Sequence, residues 1–308
     1  MSDSSVSALA SPFRHALVIF NPIAGHRRRR RLEAMLDTLS ALGCRYDLHL
    51  TDRRGDAETA AQTAAAYGYD LIIVAGGDGT LNEAANGLAA ASKAANGERP
   101  VPLALVPLGT ANVAAAEIGL SYHPEAFARM VARGRRKIVR LGQIDERYFV
   151  LMASAGLDAV VVRSVDLTLK RRTGRFAYGL EALRQALSYR FPELTVTIDG
   201  TPYKARMAVA CRARHYGGAF ELAPAADLSD DRLHVVMMQR GGLLAMVRYG
   251  WALATGRLAQ LPDVEVVSGS AVSIDGLAGV PVQADGDLVG QVPLDIVVSD
   301  RTIDLLVP

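Results

Sequence analysis

The chain has 308 residues, half of them apolar and 21% charged, which suits two ordinary globular domains or one large one and excludes a disordered chain. A formal net charge of only +2 excludes a generic nucleic-acid binder. The positive charge is nevertheless clumped, at Arg27–Arg31, Arg133–Lys137 and Lys170–Arg175, as suits a surface that meets phosphates or anionic lipid headgroups. Residues 1–12 lack the basic-then-apolar order of a signal peptide. No apolar stretch reaches the ~20 residues that span a bilayer. The expectation is a cytoplasmic protein whose contact with the inner membrane face is peripheral. Cys44 and Cys211 stand far apart in no metal-like spacing and read as small core residues of a reducing compartment.

In chain order, "HALVIF" (15–20) is a buried-strand pattern, and "RLEAMLDTLSALG" (31–43) sets Leu32, Met35, Leu36, Leu39 and Leu42 on one helical face before a terminating glycine. "RYDLHL", "DLIIVAGG" and "VPLALVPLG" predict further strands. They are followed by helices through "DAETAAQTAAAYG", "LNEAANGLAAA" and "ANVAAAEIG". This alternation predicts an α/β N-terminal domain, residues 13–138, with a mostly parallel sheet covered on both faces. From about residue 140 the texture becomes β-rich with Asp-Gly turn signals. That predicts a second, antiparallel domain over 139–299, interrupted by helices near 175–188 and 243–257. The last strand, 300–308, returns to the first domain. An exposed sheet edge could support a homodimer.

Three glycine-bearing loops follow strands of the first domain, at the sheet edge where such folds bind ligands. In "NPIAGHRRRR", Asn21-Pro22 starts a turn and Gly25 permits close approach of backbone. The arginines that follow oppose the helix dipole unless an anion sits there. In "GGDGT", Gly76, Gly77 and Gly79 allow main-chain N–H groups to form a nest for phosphate oxygens, and Thr80 adds a hydroxyl. Asp78 would repel those phosphates, so it makes sense as a holder of Mg²⁺ or an acceptor of a proton. "PLGTAN" supplies Gly109, Thr110 and Asn112 as a second wall. The P-loop's Lys-Ser/Thr is absent. "ADGD" at 284–287 reads as a hairpin turn on its own, as does "TIDGTPY" around Asp199.

"NPIAG", "GGDGTLNE" and "PLGTAN", in this order, resemble the diacylglycerol kinase catalytic domain family of bacterial lipid kinases, sphingosine kinases and ceramide kinases. The likeness continues through "LMASAGLDA", "KRRTGRFAYGLEAL", "GGAFELAPAADLSDDRLHVV" and "QADGDLVG". NAD kinases and phosphofructokinases share the nucleotide-binding scheme. The resemblance implies a two-domain kinase with ATP in the interdomain cleft, held by Asn21, Pro22, Ile23, Ala24, Gly25, Thr51, Gly77 to Glu83 (with Leu81 and Asn82) and Thr110. It implies that a lipid hydroxyl is the acceptor, met at a membrane surface, with Asp287 or Asp285 as the base and Asp78 arranging Mg²⁺ and the phosphates. It further implies a structural Mg²⁺ on the Asp231 carboxylate and the main-chain carbonyls of Leu228 and Leu233. This chain departs from the family pattern in carrying Asp287 for Glu, Val113 for Asp after Asn112, and Arg232 for Gly after Asp231. The alternatives are a soluble-substrate kinase of the NAD kinase type and a nucleotide- or lipid-binding regulator without turnover.

Overall fold

The computed structural model describes residues 10–25, 29–94, 100–164 and 176–308. Arg27, Arg28, Lys170–Arg172 and Arg175 of the basic clusters lie outside the described residues. The chain divides into two compact units, Met1–Val139 with Arg301–Pro308, and Arg140–Asp300.

The first unit is an α/β layer structure. Its strands β1 (His15–Phe20), β2 (Arg45–Leu50), β3 (Leu71–Gly76) and β4 (Leu103–Pro107) lie in the order β2-β1-β3-β4. All three pairings are parallel. The central strands are buried along their whole length. That is why they read as unbroken apolar runs, with no alternation. β2 is the exposed edge strand of this unit. The final strand adds Leu305 beside Leu103, also parallel.

The helices follow the expected faces. Helical turn α1 (Pro22–Gly25) precedes α2 (Arg29–Ala41), which buries Leu32, Met35, Leu36 and Leu39 on one stripe. Helix α3 (Asp56–Thr63) is shorter than its alanine-rich sequence suggests. It packs on α4 (Asp78–Ala94) so closely that a methyl group at Gly87 would stand 2.1 Å from the Glu58 carbonyl oxygen. Helices α5 (Val113–Glu117) and α6 (Pro124–Arg133) complete the unit.

The second unit is antiparallel. One six-stranded sheet contains β7 (Met152–Ala155), β10 (Met207–Cys211), β13 (Leu233–Met238), β14 (Val264–Gly269), β16 (Pro281–Ala284) and β17 (Asp287–Gln291), and each of its pairings is antiparallel. A second layer pairs β8 (Leu194–Ile198) with β9 (Thr201–Ala205) and β15 (Ala271–Gly276). β15 in turn pairs with the 294–297 stretch of the last strand. Phe149, Leu194, Val196, Leu233, Val235, Met237, Val282 and Ile296 are among the buried core of this unit. Helices α7 (Leu157–Ser164), α8 (Phe176–Ser188) and α9 (Leu243–Ala254) interrupt the strands. α7 lay hidden inside a stretch whose composition reads as β. Cys44 and Cys211 are both buried, as small core residues should be.

Candidate active site

The carboxyl ends of β2, β1, β3 and β4 lie side by side, so register alone gathers the loops that begin at Thr51, Asn21, Gly77 and Leu108. Strand order reverses across β1, which makes this edge a topological switch point. The loops are tied together by hydrogen bonds. Asn21 N–H donates to the Ala75 carbonyl and Thr51 N–H to the Phe20 carbonyl, both at 3.0 Å. Asn21 Nδ2 donates to Thr80 Oγ1 at 3.3 Å, and its Oδ1 accepts from Ile23 N–H at 3.0 Å.

The second and third loops meet backbone to backbone. A methyl group at Gly109 would lie 2.5 Å from Gly77 Cα, and one at Gly77 would lie 3.2 Å from Gly109 Cα. Two of the site's glycines therefore serve loop-to-loop contact. Gly76 faces the Thr80 side chain in the same way, at 2.5 Å. Gly79 differs. Nothing lies within 4 Å of the place where its side chain would stand, at the first turn of a 17-residue helix. The first amides of that helix lack a carbonyl partner one turn back, the general setting in which a helix N-terminus meets an anion.

Asp78 is engaged within this contact. Its carboxylate accepts from Val113 N–H and Ala114 N–H, each at 3.0 Å, and so holds the start of α5. Enclosure pushes its carboxyl above the usual aspartate range, and the surrounding amides pull the other way. Both of its oxygens are bonded to the third loop. The Glu83 carboxylate accepts from Ala57 N–H at 3.3 Å, Asn82 is bonded to Asn86, and Leu81 is buried. Those three side chains point into the protein, so a ligand would meet only backbone there. Thr110 is exposed, whereas Asn112 is buried and donates to the Gly109 carbonyl at 2.9 Å. Asn112 Oδ1 is buried with no hydrogen-bond partner among the described residues. The first-turn amides of α4 are the donors that fit the phosphates of a nucleoside triphosphate.

In the second unit, Asp285 and Gly286 both have positive φ, 49° and 88°, the geometry of a two-residue hairpin turn between β16 and β17. The Asp285 carboxylate accepts from three successive amides, Val150 at 2.6 Å, Leu151 at 2.9 Å and Met152 at 3.0 Å. Asp199, in the other Asp-Gly turn, does the same for Ser270 and Ala271. Asp285 is thus an anchor of the β6–β7 corner (β6, Arg147–Phe149). Asp287 begins β17 and is half-buried. Behind the turn lies a polar cluster that the sequence pattern did not assemble. Ser154 Oγ donates to Asp158 at 2.5 Å, Gln283 Nε2 donates to Ser154 at 2.7 Å and to Asp158 at 3.0 Å, and Tyr216 OH donates to the other Asp158 oxygen. Gly286 N–H closes the network onto Gln283 Oε1 at 2.8 Å.

The third set, Leu228, Asp231 and Leu233, does not fit a cation. The Leu228 carbonyl accepts from Arg140 N–H at 2.9 Å and from the Arg212 guanidinium at 3.1 Å, which uses both of its lone pairs. Asp231 is exposed and Leu233 is the first residue of β13, opposite Gly269. Among the described residues no group of three or more His, Cys, Asp or Glu side chains could hold a metal ion.

Residues 15–144 match the family described as "Diacylglycerol kinase catalytic domain", and residues 152–307 match the "YegS C-terminal NAD kinase beta sandwich-like domain". The chain belongs to the diacylglycerol kinase catalytic domain family. The diacylglycerol kinase of Bacillus subtilis (strain 168) is 27% identical over 299 residues, covering 96% of this chain and 97% of that protein. The diacylglycerol kinase of Staphylococcus aureus (strain MRSA252) is 26% identical over 300 residues, covering 96% and 93%. The crystal structure of a diacylglycerol kinase from Bacillus anthracis str. Sterne aligns with a TM-score of 0.73 at 21% identity over 97% of this chain and 98% of that one, a likeness of fold. Family membership supports a kinase, and at a coarse level a lipid kinase.

The glycine contacts separate two kinds of substitution. Gly109→Ala forces the second and third loops apart and lowers stability by about 1–3 kcal/mol. Gly79→Ala meets open space in a helical turn and leaves stability unchanged or raises it by up to about 1 kcal/mol. Urea unfolding of both variants checks this, and equal losses would contradict the assignment of Gly79 to open space.

Proposed function

We propose that the protein is an ATP-dependent lipid kinase that transfers the γ-phosphoryl group of ATP to the hydroxyl of a diacylglycerol-like lipid. The observation that carries this reading is the gathering of the three glycine loops and the first turn of α4 at the switch-point edge of a parallel sheet. In the proposed reaction the lipid hydroxyl oxygen bonds to the γ-phosphorus, the bond from the γ-phosphorus to the β–γ bridging oxygen breaks, and ADP departs. The first-turn amides of α4 and the Asn21–Thr80 pair would orient the phosphates. Asp78 keeps the third loop in place and so positions the cradle. Asp287, half-buried at the start of β17 beside the Asp285 turn, would accept the hydroxyl proton. Mg²⁺, arriving with the nucleotide, supplies charge neutralisation at the phosphates.

A lipid acceptor is supported by the surface of the second unit. Leu244, Val247 and Trp251 stand on one face of α9 with exposures of 86%, 51% and 73%. Exposed Arg240 and Arg257 flank that helix. Tryptophan with aliphatic neighbours and flanking arginines is the composition of an interfacial membrane contact. No helix among the described residues is long and apolar enough to cross a membrane.

Labelled ATP with a panel of diacylglycerols, sphingoid bases and ceramides tests the reading. Transfer to a diacylglycerol is expected, with Asp287→Asn lowering turnover by about 10²–10⁴-fold at unchanged ATP affinity, and Asp287→Glu retaining activity. Transfer only to a water-soluble acceptor, or ATP binding without turnover, would overturn it. Replacing Leu244 and Trp251 with serine should reduce turnover of lipid presented in anionic vesicles at least several-fold. Turnover of a short-chain, dispersed diacylglycerol should be spared. Equal loss on both substrates would count against a membrane face on α9.

A further inference from the structure

Arg212 is completely buried, the largest side chain so placed among the described residues. It follows β10, where its own N–H donates to the Leu151 carbonyl at 2.8 Å. Among the described residues its guanidinium meets no carboxylate directly. It donates instead to four main-chain carbonyls: Arg140 from Nε at 3.2 Å, Arg232 from Nη1 at 2.6 Å, and Leu228 from Nη2 at 3.1 Å, with Asp230 also on Nη2. Three of those carbonyls belong to one loop, 228–232, which curls around the planar group. Burial lowers the guanidinium pKa to about 10, and the nearby carboxylates of Asp230, Asp227 and Asp231 offset part of that cost. Asp227 is used locally, accepting from Ser229 N–H at 2.8 Å.

Converging carbonyl oxygens around a buried positive charge, with carboxylates behind them, are the surroundings a protein gives to a hard divalent cation. Here an arginine fills that place. Its five N–H groups diverge in a fixed plane, so one side chain can satisfy carbonyls that would otherwise point at each other across an empty centre. The residue that follows Asp231 is itself a donor, since Arg232 Nη2 reaches the Ser268 carbonyl at 3.1 Å. That contact fastens the far end of the loop to β14.

We propose that the Arg212 guanidinium is a built-in cation that holds the 227–232 loop in place of a structural metal, so that this loop's fold is independent of divalent ions. The inference does not depend on the substrate or on the protein being active.

Thermal unfolding of the intact chain, after exhaustive treatment with EDTA and then with Mg²⁺ restored, tests it together with elemental analysis of the purified protein. The expected result is an unfolding midpoint unmoved by chelator and no stoichiometric divalent metal. Arg212→Ala should lower the midpoint by about 10 °C and open the loop to proteolysis between Asp227 and Arg232. Arg212→Lys, with a point charge in place of the fork, should restore only part of that. A wild-type midpoint that falls with EDTA and recovers with Mg²⁺, or one equivalent of metal retained by the wild-type chain, would overturn the proposal. So would an Arg212→Ala variant as stable as wild type. Should that variant fail to accumulate, the chelator measurement on the wild-type chain decides alone.

Discussion

Gly77 and Gly109 touch without side chains between them, and on that contact the architecture of the first unit's site depends. Parallel strands β3 and β4 bring the loops to the same edge, but strands alone leave about 4.8 Å between neighbouring backbones. Only the loss of both Cβ atoms lets the loops close on each other. Once they are closed, the Asp78 carboxylate can reach the Val113 and Ala114 amides and fasten the start of α5. The amides at the start of α4 are then fixed in direction before any ligand arrives. Preorganised donors of this kind lose little entropy on binding.

The second unit repeats the device with different parts. Asp199 and Asp285 each stand first in an Asp-Gly turn, and each spends its carboxylate on successive amides of another segment. Ionised acceptors bind amides strongly, so the turns act as clips between strands that are distant in sequence. Around the Asp285 clip the Ser154–Asp158–Gln283–Tyr216 network links β7, α7, β16 and the 215–216 strand. The start of β17, with Asp287, is therefore presented from a rigid frame. In the loop at 227–232 the clip has the opposite polarity, a cation among carbonyls.

Much of this was legible in the sequence, for reasons that can be named. Strands such as "LIIVAG" are buried on both faces and so read as continuous apolar runs, while the Leu32–Leu39 stripe of α2 has the helical period. The three glycine loops stood at strand ends, and the family motifs ordered them. What could not be read were partners. A glycine required by another glycine looks the same as one required by a phosphate, and of Gly76, Gly77, Gly79 and Gly109 it is Gly79 that has no neighbouring atoms where a side chain would stand. An aspartate that binds amides looks like one that binds magnesium. Asp78 and Asp285 both accept from amides. Arg212, one arginine among many in the chain, carried no local signal, because its four acceptors come from residues 140 and 228–232. Helix α7 was missed because "LDAVVV" carries β-branched residues that suit a strand as well.

The most direct test of the central claim is amide hydrogen exchange across the intact chain with and without a non-hydrolysable ATP analogue. If the clasped loops form the triphosphate cradle, residues 76–82 and 108–115 should slow together on addition of the nucleotide. Protection confined to other segments, with both of these loops unchanged at saturating nucleotide, would contradict the claim.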